Sequence, residues 1–115
     1  MITKYFQGDV AYIQITKEQF KKLLKDKEFK GTRILNSFTT VHGESGNQHR
    51  IVVDRPTENL VKIMQLDNGM YVMKIKGEAT IIHEKHLPAQ KLTTGLWFVV
   101  QKTEYNPIEE RLIRD

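Results

Sequence analysis

The sequence predicts a mainly β domain, an antiparallel small barrel or sandwich with one inserted helix. Three observations predict it. From Ile34 onward, apolar residues recur with period two rather than at helical spacing. Turn residues interrupt the apolar runs at short intervals, which suits antiparallel strands and not the long crossovers of a parallel sheet. Only one stretch, the one after Thr16, combines a helix start signal with an amphipathic face.

Taken in order, Gly8-Asp9 is turn chemistry, and Val10 to Ile15 is an apolar run suited to a buried strand. Thr16-Lys17-Glu18-Gln19 has the form of a capping box, in which Thr16 accepts from the backbone of Gln19. The helix it starts carries Phe20, Leu23 and Leu24 on one face and lysines on the other, with Gly31 as its expected stop. Arg33 to Val41 then reads as a strand, and Gly43 to Asn47 as a turn cluster. His49 to Asp54 is a strand closed by Arg55-Pro56, since proline has no N–H for a ladder.

Leu60 to Leu66 and Met70 to Lys76 flank Asp67-Asn68-Gly69. Asn-Gly between apolar runs predicts a type I′ hairpin turn, because both residues tolerate positive φ. Gly77 either breaks the second run or sits at a bulge in one strand reaching His83. Thr93-Thr94-Gly95 is read as a turn before the strand Leu96 to Tyr105, and Ile108 to Asp115 as a short amphipathic tail. Trp97 and Phe98 are expected in the core, and Met64, Met70 and Met73 as packing rather than sulfur ligands. The sum is six or seven strands, one helix and a single domain over residues 1–115.

Composition narrows the function. At 115 residues, 39% hydrophobic and 28% charged, the chain supports one core without covalent staples. It contains no cysteine, which excludes disulfides, thiolate metal sites and cysteine nucleophiles and fits a reducing, cytoplasmic setting. No run approaches the ~20 apolar residues of a membrane span, and Met1 to Tyr5 begins no secretory signal. The net charge of +4 resides between Lys17 and Arg33, where seven basic residues face three acids. A lysine-rich solvated helix face explains this, and Lys17, Lys21, Lys22 and Lys25 are the residues that would bind nucleic acid or an acidic partner protein if it does more.

The chemistry-bearing stretch is Ala79 to Pro88. Strand alternation puts His83 on one face with Ile81 and Ala79, and His49 with Ile51 and Val53. Both imidazoles therefore lie on the apolar side of their strands, His49 opening one strand and His83 closing the other. Paired or facing strands would bring them together at one end of the core. His86 joins only if the chain turns after Glu84, which Leu87-Pro88 favours. The Gly43 to Gln48 loop runs directly into His49 and contributes Glu44 and Asn47.

Three readings stay open. His49, His83 and His86, with Glu84 or Glu44, form a ligand set that zinc, iron or manganese accepts. The spacing His-Glu-Lys-His is not the His-Glu-x-x-His that puts two ligands on one helix face. Without a metal, a histidine pair near Arg50 or Lys85 suits acid–base work or anion binding. In the third reading the histidines are hydrogen-bonded core residues and nothing more. His42, beside the first turn, has the weakest positional case for joining them.

Gln7-Gly8-Asp9-Val10, Gly43-Glu44-x-x-x-x-His49-Arg50, His83-Glu84-x-His86-x-Pro88, Leu92-x-x-Gly95-x-Trp97 and Glu104-Tyr105 occur in that order. Together they resemble a family of small, uncharacterised bacterial and phage-borne proteins. In that family a G-E-x-T-G-H-x-H element precedes H-E-E-H-x-P-I-x-L-P-x-G-x-Y and a Q-R-E-Y-like strand. The resemblance implies a shared site at Glu44, His49, His83, Glu84 and His86, and nothing about its use. This chain departs at Asn47, where the first histidine of H-x-H would stand. Asparagine is the poorer metal ligand, so the departure favours an anion or small-molecule pocket.

The resulting expectation is a domain that binds or hydrolyses a small anionic ligand, such as a nucleotide, with or without a divalent metal. The alternative is a non-catalytic interaction module using the basic helix. Leu60 to Leu66, as an apolar edge strand, offers a way to pair with a second copy in a homo-oligomer.

Overall fold

Among the described residues, eight strands and one helix follow one another: β1 (Lys4–Gln7), β2 (Val10–Ile15), α1 (Lys17–Leu24), β3 (Thr32–Arg33), β4 (Ser37–His42), β5 (Gln48–Val52), β6 (Leu60–Gln65), β7 (Tyr71–His83) and β8 (Gln90–Gln101). The computed structural model describes residues 3–7, 10–25, 27–42, 48–66, 69–83 and 89–101. All pairings are antiparallel and belong to one sheet, so the expected mainly β class holds. The sheet stays open and does not close into a barrel, its order running β1-β2-β8-β7-β5-β4, with β3 and β6 branching from β7.

The branch arises at β7. One edge of this strand pairs with β8, while the other pairs first with β6 (Tyr71 to Lys76) and then with β5 (Thr80 to His83). Between the two, a bulge shifts the β7–β8 register from Ile75↔Gly95 to Glu78↔Thr93. Gly77 takes φ 99°, which a residue with a Cβ adopts only under strain. Neighbouring side chains satisfy the backbone there. The Gly77 N–H donates to Thr94 Oγ1 at 2.8 Å, Thr94 Oγ1 donates to the Gly77 carbonyl at 3.1 Å, and the Glu78 N–H donates to Asn59 Oδ1 at 3.1 Å. Residues 71 to 83 thus form one continuous strand.

The bend lets the sheet coil. Phe38 of β4 meets Tyr71 of β7 edge-to-face at 5.6 Å, and Tyr5 of β1 stacks on Trp97 of β8 at 5.9 Å. The concave side holds the larger core, with Val10, Tyr12, Ile51, Val53, Val61, Ile63, Met73, Ile75, Ile81, Leu92, Trp97 and Val99. The alternate residues Ala11, Ile13, Ile15, Val72, Phe98 and Val100 form a second core on the outer face, covered by Phe20 and Leu24 of α1. Amphipathic patterning of both strands and helix has this consequence: each apolar stripe needs a partner layer.

The capping box forms, with Gln19 N–H donating to Thr16 Oγ1 at 3.2 Å and Thr16 N–H donating to Gln19 Oε1 at 2.8 Å. The helix stops before Gly31, because Lys25 takes the left-handed cap at φ 51° and Phe29 returns to pack on Phe20 at 5.3 Å. The expected strand Arg33 to Val41 is divided into β3 and β4 around Ile34, whose N–H donates to the Val61 carbonyl.

The β6–β7 hairpin is present. Leu66 N–H donates to the Met70 carbonyl at 2.7 Å and Gly69 is left-handed at φ 73°, while Asp67 and Asn68, on which the expected type I′ turn rests, lie outside the described residues. Thr93-Thr94-Gly95 is not a turn. It lies inside β8 opposite the β7 bulge, and glycine there serves the bend. β6 is not an edge strand, since β3 pairs Thr32↔Ile63 and Arg33↔Lys62 along its free side. Residues 102–115, including the amphipathic tail, lie outside the described residues, as do the tips of the turns at 8–9 and 43–47. No helix among the described residues is long and apolar enough to cross a membrane.

Candidate functional site

His49 and His83 are direct cross-strand partners in the β5–β7 ladder, one step beyond Ile51↔Ile81. Side chains opposite each other in an antiparallel pair leave the sheet on the same face. Alternation from Ile51 and Ile81 makes that the concave face. The ring centroids are 4.2 Å apart with the planes inclined by 41°, and the residues are only 4% and 5% exposed. The two strands thus bring the imidazoles together.

Arg50 pairs with Ile82, alternates onto the opposite face and is exposed, so it is not brought to the pair. His42 sits at the end of β4 opposite Gln48, one pair further out than Val41↔His49. Glu44, Asn47, Glu84, Lys85 and His86 lie outside the described residues.

Two further polar side chains reach this end of the core. A register shift between Thr39 and Val41 gives β4 an extra residue at Thr40. Its side chain is buried, at 8% exposure, and its hydroxyl donates to the His49 carbonyl at 3.3 Å. Beside Thr40 lies Tyr12, although β8, β7 and β5 separate their strands in the sheet order. Tyr12 is fully buried, and its hydroxyl has no hydrogen-bond partner among the described residues. Burial pushes its pKa up to about 12 because an ionised phenolate would lose its hydration. The nearby Thr40 hydroxyl pulls the other way, without closing a hydrogen bond of good geometry to Tyr12 Oη.

Among the described residues, the buried polar side chains outside the apolar set are Thr40, His49 and His83. With the Tyr12 hydroxyl they occupy a single end of the concave core. The set consists of hydroxyls and imidazoles, groups that donate hydrogen bonds and carry no negative charge near neutrality. Among the described residues no group of three histidine, cysteine or carboxylate side chains could hold a metal ion. Two imidazoles alone fall short of the three protein ligands a zinc site ordinarily provides. A metal at this pair would need further ligands from outside the described residues.

Tyr12 and Thr40 were not among the residues singled out from the sequence. A faint signal existed for Tyr12, a residue with a polar tip in an otherwise apolar strand. Nothing local marks Thr40, because the bulge that turns it inward is a property of pairing. The lysines of the basic segment are placed as expected: Lys17, Lys21, Lys22 and Lys25 are exposed on or next to α1, while Phe20 and Leu24 are buried beneath it. Comparison with protein-family models, with curated proteins and with solved structures finds no match to this chain.

Proposed function

We propose that this domain binds a small anionic ligand at the end of the coiled sheet where His49 and His83 meet. One observation carries this reading: four buried polar side chains from four strands, Tyr12, Thr40, His49 and His83, converge on one place in an otherwise apolar interior. Leaving a buried hydroxyl unpaired costs about 1–3 kcal/mol, and the Tyr12 hydroxyl has no partner among the described residues. A phosphate or carboxylate oxygen at that end of the core would accept from Tyr12 and an imidazole together. In a hydrolytic version of the site, one imidazole takes a proton from water while the other gives one to the leaving group. Glu44, Glu84 and His86 are the residues that would complete a divalent-metal variant with zinc, iron or manganese. The resemblance to the bacterial and phage-borne proteins at His49, His83 and His86 agrees with a shared pocket. The absence of cysteine suits a cytoplasmic protein.

The test follows the imidazole nitrogens of the ¹⁵N-histidine-labelled protein by NMR while inorganic phosphate and then a nucleoside monophosphate are added. A second sample receives zinc after chelator treatment. Saturable movement of both His49 and His83 resonances with an anion, lost in Tyr12→Phe, supports the proposal. Stoichiometric zinc binding with no response to anions replaces it with the metal reading. Resonances that ignore every addition mean the pair is purely architectural.

A further inference from the structure

The outer face of the sheet beside α1 carries a row of cations that follows the hydrogen-bonding direction. Arg33 is the register partner of Lys62, and Lys62 is the register partner of Lys74. Ile63, Met73 and Ile75 of the same strands face the concave core, so Lys62 and Lys74, with Arg33 opposite, point outward, and all three are exposed. Lys76 lies two residues from Lys74 on that same face. Lys30, also exposed, crosses β6 at Met64, where its backbone N–H meets the sulfur at 3.3 Å.

Like charges placed directly opposite each other destabilise a sheet. Here the sequence does so twice in succession, on strands β3, β6 and the first half of β7, which contain no acidic residue. None of Arg33, Lys30, Lys62, Lys74 or Lys76 has a carboxylate partner among the described residues. Arg33 donates instead to the Pro56 carbonyl, and Lys74 lies over the rings of Phe29 at 4.8 Å and Phe20 at 5.4 Å. Phe29, half-buried, thus lies at one end of the row, with Phe20 buried behind it. Sequence order gave no sign of this, because the cations come from three separate segments.

We propose that this face binds single-stranded nucleic acid through its phosphates. Three cations in line on adjacent strands, at interstrand steps of about 4.8 Å, present positive charge over roughly 10 Å, a path for a few consecutive phosphates of one strand. A charged track with an aromatic beside it is the usual arrangement for such ligands. A protein partner would call for an exposed apolar anchor. The large hydrophobic residues exposed among those described, Phe6 and Leu35, are not in the row. The surface is independent of the histidine pair, which faces the opposite side of the sheet.

The experiment measures fluorescence anisotropy of a labelled single-stranded oligonucleotide with the full chain across a series of salt concentrations. Duplex and poly-glutamate serve as competitors. The wild type is expected to bind the single strand, with affinity falling as salt rises. Lys62→Ala/Lys74→Ala should weaken binding at least about tenfold at low salt and flatten the log–log salt slope by about 1.4, from ~0.7 for each lost phosphate contact. Lys91→Ala, which removes a cation paired with Glu78 elsewhere, should leave binding unchanged. Lys62→Glu gives a check that does not depend on marginal folding: it should raise the melting temperature while abolishing oligonucleotide binding. Undetectable binding at low salt overturns the proposal. So does equal loss in Lys91→Ala, preference for duplex, or displacement by poly-glutamate at matching charge concentration.

Discussion

Tyr12 holds a phenol in the apolar interior, its hydroxyl unpaired among the described residues and its pKa raised from 10.0 to about 12. Between those values the unfolded chain gives up the proton while the folded chain keeps it. The unfolded state then binds fewer protons, so stability falls as pH rises through this window, by up to about 1.4 kcal/mol per pH unit. Tyr12→Phe should remove that part of the alkaline loss and leave stability at neutral pH equal or higher by about 1 kcal/mol, because no hydrogen bond is sacrificed. Urea denaturation near neutrality and again near pH 11 checks both statements. A clear loss at neutral pH would show that the hydroxyl has a partner after all. At the histidine pair, His83→Ala removes the ring packed against His49 and should cost roughly 2–3 kcal/mol through the cavity it leaves. His83→Gln, which refills part of the volume, should cost less, and the difference between the two variants in denaturant midpoint measures the packing share.

At the scale of the element, the β7 bend sets where the two halves of the sheet go. A Cβ at Gly77 would collide with the Asn59 side chain, and the positive φ adds strain of its own. Gly77→Ala is therefore expected to cost about 2–3 kcal/mol, read from the shift in denaturant midpoint. Asn59→Ala should cost about 1 kcal/mol, since water replaces the lost amide at the exposed Glu78 N–H and Asp54 carbonyl. A double variant that loses no more than Gly77→Ala alone would confirm that the two residues act at one locus. The capping box, the hairpin and the apolar alternation were legible because they depend on residues a few positions apart. The reading of Thr93 to Gly95 as a turn failed for the complementary reason. Thr94 and Gly95 have turn composition, but their role is to accommodate a bulge on the neighbouring strand.

For the whole molecule, one strongly bent sheet makes two environments. Its concave side gathers the polar side chains of β2, β4, β5 and β7 at one end, and its outer side exposes the cross-strand cations. Repulsion along Arg33, Lys62 and Lys74 should make the fold more stable as salt is added, because exposed charges are screened within about 10 Å at 0.1 M. Lys62→Glu should abolish that dependence, which thermal melts with and without added sodium chloride would reveal. A melting temperature indifferent to salt in the wild type would mean the three side chains splay too far to interact.

Alternation alone determined that His49 and His83 sit on the apolar sides of their strands, because side-chain direction is fixed every two residues wherever a strand lies. Composition alone determined the basic character of the segment from Lys17 to Arg33. Only the tertiary structure decided that the two imidazoles are register partners, that Thr40 turns inward beside Tyr12, and that Arg33, Lys62 and Lys74 align. Each of these depends on which strands pair and in what register. That choice is made by packing and bulges across distant parts of the chain, and no local stretch of residues encodes it.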